Sequence, residues 1–263
     1  REAMDRLLWD GDFYRTLPCA KGALADDFAR PAVEENHRVR ELVGYLPWYF
    51  AMPEQGKEAT FRQLLDPKGF FAPWGLTTAE QRHPRFGFFH EHECLWNGPA
   101  WPFATAQTLT AAARLLREYP PTDAFTQEDY WTLLRQYALS HRQRGADGRF
   151  RPWIDEDMDP YTGDWTARSQ LKADHWNPQR GGYERGKDYN HSTFCDLVLD
   201  GLFGIGADCE GNLTARPMVP KNWPYFRVEG VPHAGKRWTV LYDRDGSYYG
   251  RGAGIQIFEK EIE

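Results

Sequence analysis

Residues 99–120 read PAWPFATAQTLTAAARLLREYP, a helix with proline near its start and Pro120-Pro121 beyond its end. A second helix follows at once. Thr126 is a natural N-cap with Asp129 three residues on, and Tyr130, Leu133, Leu134, Tyr137 and Ala138 share one face. The run His141-Arg142-Gln143-Arg144 and then Gly145 suit a helix C-terminus, so this helix is expected to close there. Upstream, residues 70–98 are aromatic, rich in Gly, Pro and His, and without helical period, which marks a functional loop. Two more helices are predicted before it. One runs over residues 32–46, where Val33, Val39, Leu42 and Val43 recur ahead of Pro47, and one over 54–65, ended by Asp66-Pro67-Lys68-Gly69. Met4, Leu7, Leu8 and Phe13 carry helical spacing to the first residues, as though the chain is entered mid-helix.

A last helix is predicted over 192–205, with Phe194, Leu197, Val198, Gly201, Leu202 and Ile205 on one side. After Gly206 the pattern changes to short runs rich in β-branched and aromatic residues, at 213–218, 225–231, 237–242 and 253–258, separated by turn sequences. The expected organisation is a mainly α domain over 1–206 and a small antiparallel β-domain over 207–263. The alternation of helix, long loop and helix is that of toroids of paired helices, in which the loops at one end collect the functional groups.

The 263 residues are 41% hydrophobic and 27% charged, a globular composition with a core. No apolar run approaches the roughly 18 to 20 residues of a membrane span, so no membrane partner is expected. A net charge of −6 excludes the basic footprint of a nucleic-acid binder. The 11 Trp, 13 Tyr and 16 Phe stand out in a chain whose mean hydropathy is −0.71. Trp and Tyr suit surfaces where one side is apolar and the other wet, as in sugar-binding clefts. Cys19, Cys94, Cys195 and Cys209 form no CxxC pair and no disulfide framework.

Chemistry concentrates in residues 151–165, RPWIDEDMDPYTGDW, where Asp155, Glu156, Asp157 and Asp159 crowd beside Trp153, Tyr161 and Trp165. Carboxyls this close repel, so one of them should have a raised pKa or a cationic partner. Glycoside hydrolysis needs a carboxyl pair, and aromatic walls supply sugar stacking; a solvated acidic loop or a calcium site is the plain alternative. Trp96-Asn97-Gly98-Pro99-Ala100-Trp101 sets an amide between two aromatics at the mouth of a helix, with Gly98 allowing close approach of the chain. His90, His92 and Cys94 suit zinc chemically, but the spacing is not that of a structural zinc site, and no metal is assigned. Asp188, His191 and Ser192 are residue types of a hydrolase triad, without a nucleophile elbow to support one.

With these residues laid out, the chain resembles the C-terminal half of (α/α)6-barrel glycoside hydrolases, the clan of trehalase, mannosyl-oligosaccharide glucosidase and mannosylglycerate hydrolase. The landmarks are Trp96-Asn97-Gly98-Pro99-Ala100-Trp101, then Glu156-Asp157-Met158-Asp159-Pro160-Tyr161-Thr162-Gly163, then an aromatic-rich start to the last helix at Tyr189-Asn190-His191-Ser192-Thr193. The resemblance implies a partial toroid followed by a β-domain, and an inverting, exo-acting hydrolase without a cofactor. It makes Glu156 the general base and puts the general acid, an Asp, upstream of this chain. It implies a sugar wall of Trp48, His90, Trp96, Asn97, Trp101, Trp153, Asn190 and His191, with the loops 44–48 and 70–78. An insertion of about two dozen residues departs from the family pattern. It carries Asp174 and Glu184 as secondary candidates for the base. A half-toroid would expose apolar helix faces, so association with the N-terminal half of the same barrel is expected. Two other readings stand beside this one: a non-catalytic carbohydrate-binding or degenerate barrel module, and an epimerase or lyase using His90, His92 or His191 as proton shuttle.

Overall fold

The computed structural model describes residues 1–16, 38–87, 95–188 and 191–259. It divides into two compact units, Arg1–Phe194 and Cys195–Glu263. The architecture is helical with small antiparallel sheets.

In the first unit, α1 (Glu2–Leu8) is followed by α2 (Leu46–Tyr49), α3 (Pro102–Glu118), α4 (Gln127–Ser140), α5 (Thr166–Ala173) and α6 (His191–Asp196), the last continuing into the second unit. The long helix α3 is buried on most of its circumference through small residues, Ala104, Ala106, Ala111, Ala112 and Ala113, with Leu109 and Leu115. A helix with so wide a buried face belongs inside a protein, and α3 packs against α2, α4 and the 3-10 turn Leu42–Tyr45. The cap of α4 is the predicted one. Thr126 Oγ1 accepts from the Asp129 N–H at 3.3 Å while the Asp129 carboxylate accepts from the Thr126 N–H at 2.8 Å. Beside these helices Phe13, Tyr45, Trp48, Phe61, Phe70 and Phe125 form a fully enclosed aromatic core, with ring centroids 4.9 to 6.2 Å apart between neighbours. Phe13 joins this core from beyond the end of α1.

Several expected elements take other forms. Residues 38–46 are not one helix: Glu41 bridges Ala79, Leu42 N–H donates to Thr78 O at 2.9 Å, and Arg40 N–H donates to the Glu80 carboxylate at 2.9 Å. Pairing with residues 78–80 holds this stretch extended until the turn at Leu42, while residues 32–37 lie outside the described ones. The helix expected from residue 54 starts at Glu58 and is 3-10, after the Glu58 carboxylate has taken the Gly56 N–H. The basic run after α4 is not its last turn. Arg142–Arg144 form strand β3, paired with β4 (Phe150–Pro152), and the Arg142 guanidinium lies over the rings of Trp74 and Phe150, at 4.7 and 4.2 Å. The last helix ends in a π turn, Leu197–Leu202, and Ile205 belongs to a strand. The loop after Phe70 opens with a small hairpin, β1 (Phe71–Ala72) with β2 (Gly75–Leu76).

The second unit holds the hairpin β5 (Ile205–Ala207) with β6 (Leu213–Ala215) and a meander of β7 (Tyr225–His233), β8 (Lys236–Asp243) and β9 (Gly254–Glu259). Its central strand β8 buries Thr239, Val240, Leu241 and Asp243, and Phe203 stacks on Phe226 at 4.1 Å. Among the described residues no helix is long and apolar enough to cross a membrane. Cys195 and Cys209 are free thiols, and Cys19 and Cys94 lie outside the described residues.

Truncating the aromatic core and removing the α4 cap should differ severalfold in effect. Trp48→Ala should destabilise the protein by about 3–5 kcal/mol and Thr126→Ala by about 1 kcal/mol, measured by urea unfolding.

Candidate active site

The two motifs that stand apart in sequence are joined by backbone. Ala100 and Met158 exchange both N–H···O bonds, each 2.9 Å. Ala100 also bridges Thr77, and Met158 bridges Trp165, so three loops are laced edge to edge. Trp74 N–H adds a bond to Pro160 O at 2.9 Å. Behind this lacing Ala100, Ile154, Met158 and Trp165 form a buried cluster, with Trp74 and Trp153 packed against it. Trp165 is pinned through its indole N–H, which donates to Arg142 O at 2.9 Å.

Around this seam the acidic run is not a solvated loop: Asp155 and Asp157 are 0% exposed and Glu156 8%. Buried carboxyls need compensation, and that of Asp155 is ionic. Asp155 pairs with Arg168 of α5, accepts the Glu156 N–H at 2.9 Å and accepts the Trp153 indole N–H at 3.2 Å. Burial pushes the Asp155 carboxyl above the ordinary aspartate value, against the pull of the Glu156 N–H, Arg168 and Trp153. Asp157 turns its carbonyl to the start of α5, accepting the N–H groups of Thr166 at 2.9 Å and Ala167 at 3.5 Å. Asp159 makes a turn: its carboxylate accepts from Tyr161 N–H at 2.8 Å and Thr162 N–H at 3.2 Å. The sequence Asp159-Pro160-Tyr161-Thr162-Gly163 is therefore turn chemistry, and Glu156 follows a carboxyl whose place is fixed by Arg168 and two N–H donors.

The aromatic-amide motif sits against the same seam. Trp96 and Trp101 meet edge to face at 5.0 Å, Trp96 half-buried and Trp101 buried. The Gly98 N–H donates to Thr78 Oγ1 at 3.0 Å, and a Cβ on Gly98 would lie 2.8 Å from Gly87 O, so this crossing requires glycine. Asn97 Oδ1 and Trp101 Nε1 are buried and have no hydrogen-bond partner among the described residues. Such atoms cost about 1–3 kcal/mol each unless a ligand satisfies them.

The remaining expected site residues divide. Trp153 is half-buried and packs on the Met158 cluster. Trp48 needs correction: it is 0% exposed, edge to face with Tyr14 and Phe61 at 5.3 and 5.2 Å, and has no face to offer a sugar. His90 and Asn190 lie outside the described residues, as do His92 and Cys94, and His191 is the first residue of α6. Of the secondary base candidates, Asp174 pairs with Arg180 at 3.4 Å and the exposed Glu184 with Lys187 at 2.9 Å. Among the described residues no group of His, Cys, Asp and Glu has the arrangement of a metal site. Thr78 closes the expected loop 70–78, whereas Arg168 belongs to no motif the sequence displays. Only the demand of the acidic run for a cation pointed toward an arginine at all.

Buried carboxyls beside a tryptophan-amide wall are the equipment that glycoside hydrolysis calls for. Residues 1–192 match the family described as the mannosylglycerate hydrolase MGH1-like glycoside hydrolase domain, and the chain belongs to that family. A solved structure of a protein named sialidase is 34% identical, with a TM-score of 0.76 over 98% of this chain and 21% of its own. The chain thus spans about a fifth of the length of that protein. No protein of curated function matches it.

The raised Asp155 gives a pH signature. The folded chain holds that proton more tightly than the unfolded chain, so stability falls as pH rises from about 4 through the folded value. Asp155→Asn, which keeps an acceptor oxygen, should flatten that fall in urea unfolding measured from about pH 4 to 7.

Proposed function

We propose that the chain is the C-terminal part of the barrel of an inverting, exo-acting glycoside hydrolase, its helical unit a portion of an (α/α)6 toroid. Glu156 is the general base, and the substrate is a carbohydrate. The observation that carries this reading is the buried Asp155-Glu156-Asp157 run beside the Trp96-Asn97-Trp101 wall in a domain of this family.

In inversion, a water on the face of the sugar opposite the leaving oxygen gives its proton to the base as it attacks the anomeric carbon. A separate carboxylic acid protonates the leaving oxygen, about 6.5 to 9.5 Å from the base, and the resemblance puts that acid in an earlier part of the barrel. Asp155, tied to Arg168 and two N–H donors, serves as support. Trp96 stacks on the sugar ring. Asn97 Oδ1 accepts from a sugar hydroxyl and the Trp101 indole N–H donates to one, which supplies partners to both buried atoms. Trp153 offers a further ring to the sugar.

The test is proton NMR of the full-length enzyme that contains this chain with 4-nitrophenyl α- and β-glycosides of glucose, mannose, galactose and arabinose, and with a sialoside, following the anomeric signal of released sugar. Inverted product is expected, and Glu156→Gln should lower kcat by about 100-fold or more. Retained configuration, or turnover by Glu156→Gln within about threefold of wild type, would remove Glu156 as the base. Sugar binding without any product would instead make the chain a carbohydrate-binding module.

A further inference from the structure

The general-base reading leaves the segment between α5 and α6 unused, although three contacts tie residues 183–188 to the acidic run. One is the Arg168 side chain, 6% exposed. Its Nε pairs with Asp155, its Nη1 donates to Tyr183 O and its Nη2 donates to Arg185 O, with Asp155 Oδ1 a further 3.5 Å from Nη2. Another is the Asp188 N–H, which donates to Ile154 O at 2.9 Å. The third is Gly186. With φ at +72°, it lies where an added Cβ would be 2.7 Å from Asp155 Oδ1 and 3.5 Å from Glu156 Oε2. The missing side chain is what lets this backbone lie against both carboxyls.

Above these contacts the segment carries rings and a cation. Tyr183 meets Trp176 at 5.1 Å and Trp153 at 6.4 Å, and the Lys187 ammonium stands 5.7 and 5.8 Å from the rings of Trp153 and Tyr183. One guanidinium thus serves a carboxylate on one side and two diverging carbonyls on the other. A planar fork of five N–H donors can do this, and an ammonium cannot span it.

We infer that Arg168 is the positioning residue for Glu156: by clamping residues 183–186 to Asp155 it seats the Gly186 backbone against the Glu156 carboxyl and fixes where that carboxyl points. The inference rests on Glu156 as general base. A base displaced by about 1 Å loses up to about 10² in rate without losing substrate affinity, so the clamp acts on kcat rather than KM. It also gives the insertion a role, that of the support for the base, which its own carboxyls Asp174 and Glu184, both ion-paired, do not supply.

The experiment uses the full-length protein, the 4-nitrophenyl glycoside that wild type turns over fastest, and the variants Arg168→Lys, Gly186→Ala, Glu156→Gln and Arg168→Lys with Glu156→Gln. Arg168→Lys keeps the charge beside Asp155, and Gly186→Ala keeps the Arg168 side chain while its Cβ presses on the Asp155 and Glu156 carboxyls from the other side. Each is expected to lower kcat about 10- to 100-fold with KM within about threefold. Hydrogen exchange should rise in residues 176–188 and stay unchanged in α3. In the Glu156→Gln background, Arg168→Lys should cost no more than about twofold, because it acts through the carboxyl already lost. Turnover within about threefold of wild type despite raised exchange overturns the inference, as does exchange unchanged in both variants, or an equal loss from Arg168→Lys in both backgrounds. An active Glu156→Gln, or a wild type that turns over none of the glycosides, overturns instead the reading on which it rests.

Discussion

The paired hydrogen bonds between Ala100 and Met158 are the constraint on which the site depends. Each is worth only about 1 kcal/mol net. Their leverage comes from what they align. Ala100 stands between the Trp96-Asn97 wall and α3, and Met158 stands between the buried carboxyls and the turn at Asp159. A slip of one residue in this two-way bridge would turn Met158 out of its cluster with Ile154 and Trp165 and bring a charged neighbour in. The seam is therefore held by burial as well as by hydrogen bonds, and register at the seam is register of the site.

Electrostatics then decides how the acidic run can be buried at all. Three successive carboxyls in a low-dielectric setting would be prohibitive if treated alike. Asp155 is answered by an arginine and two N–H donors, and the backbone of Asp157 starts α5, the helix that brings that arginine. The arrangement is self-consistent: the acidic loop starts the helix that supplies its own counter-charge. Breaking one partner of such a pair costs far more than the pair contributes, which ties the helix, the loop and residues 183–185 into one cooperative piece.

Much of the fold was legible where the signal is local. The proline-bounded helix α3, the capping box of α4 and the three strands after Tyr225 are specified by neighbours within a few residues, and they stand where the pattern puts them. Two of the failures share a cause. Residues 40–42 look helical but pair with residues 78–80, and Arg142–Arg144 look like a helix end but form a strand roofed over Trp74 and Phe150. In both places a distant partner outweighs a weak local propensity.

Of the site, composition and motif order by themselves determined the chemistry: a carboxyl-rich run with aromatic walls, Glu156 within it, and an amide beside two tryptophans. These are properties of residue type and near spacing, which a linear chain displays directly. Only the tertiary structure decided that Trp48 is core, that Ala100 meets Met158, that Arg168 answers Asp155 and that Gly186 rests against Glu156. Each of those is a contact between residues remote in sequence, set by which surfaces are buried together, and no short-range pattern encodes the partner of a buried group before the chain has closed around it.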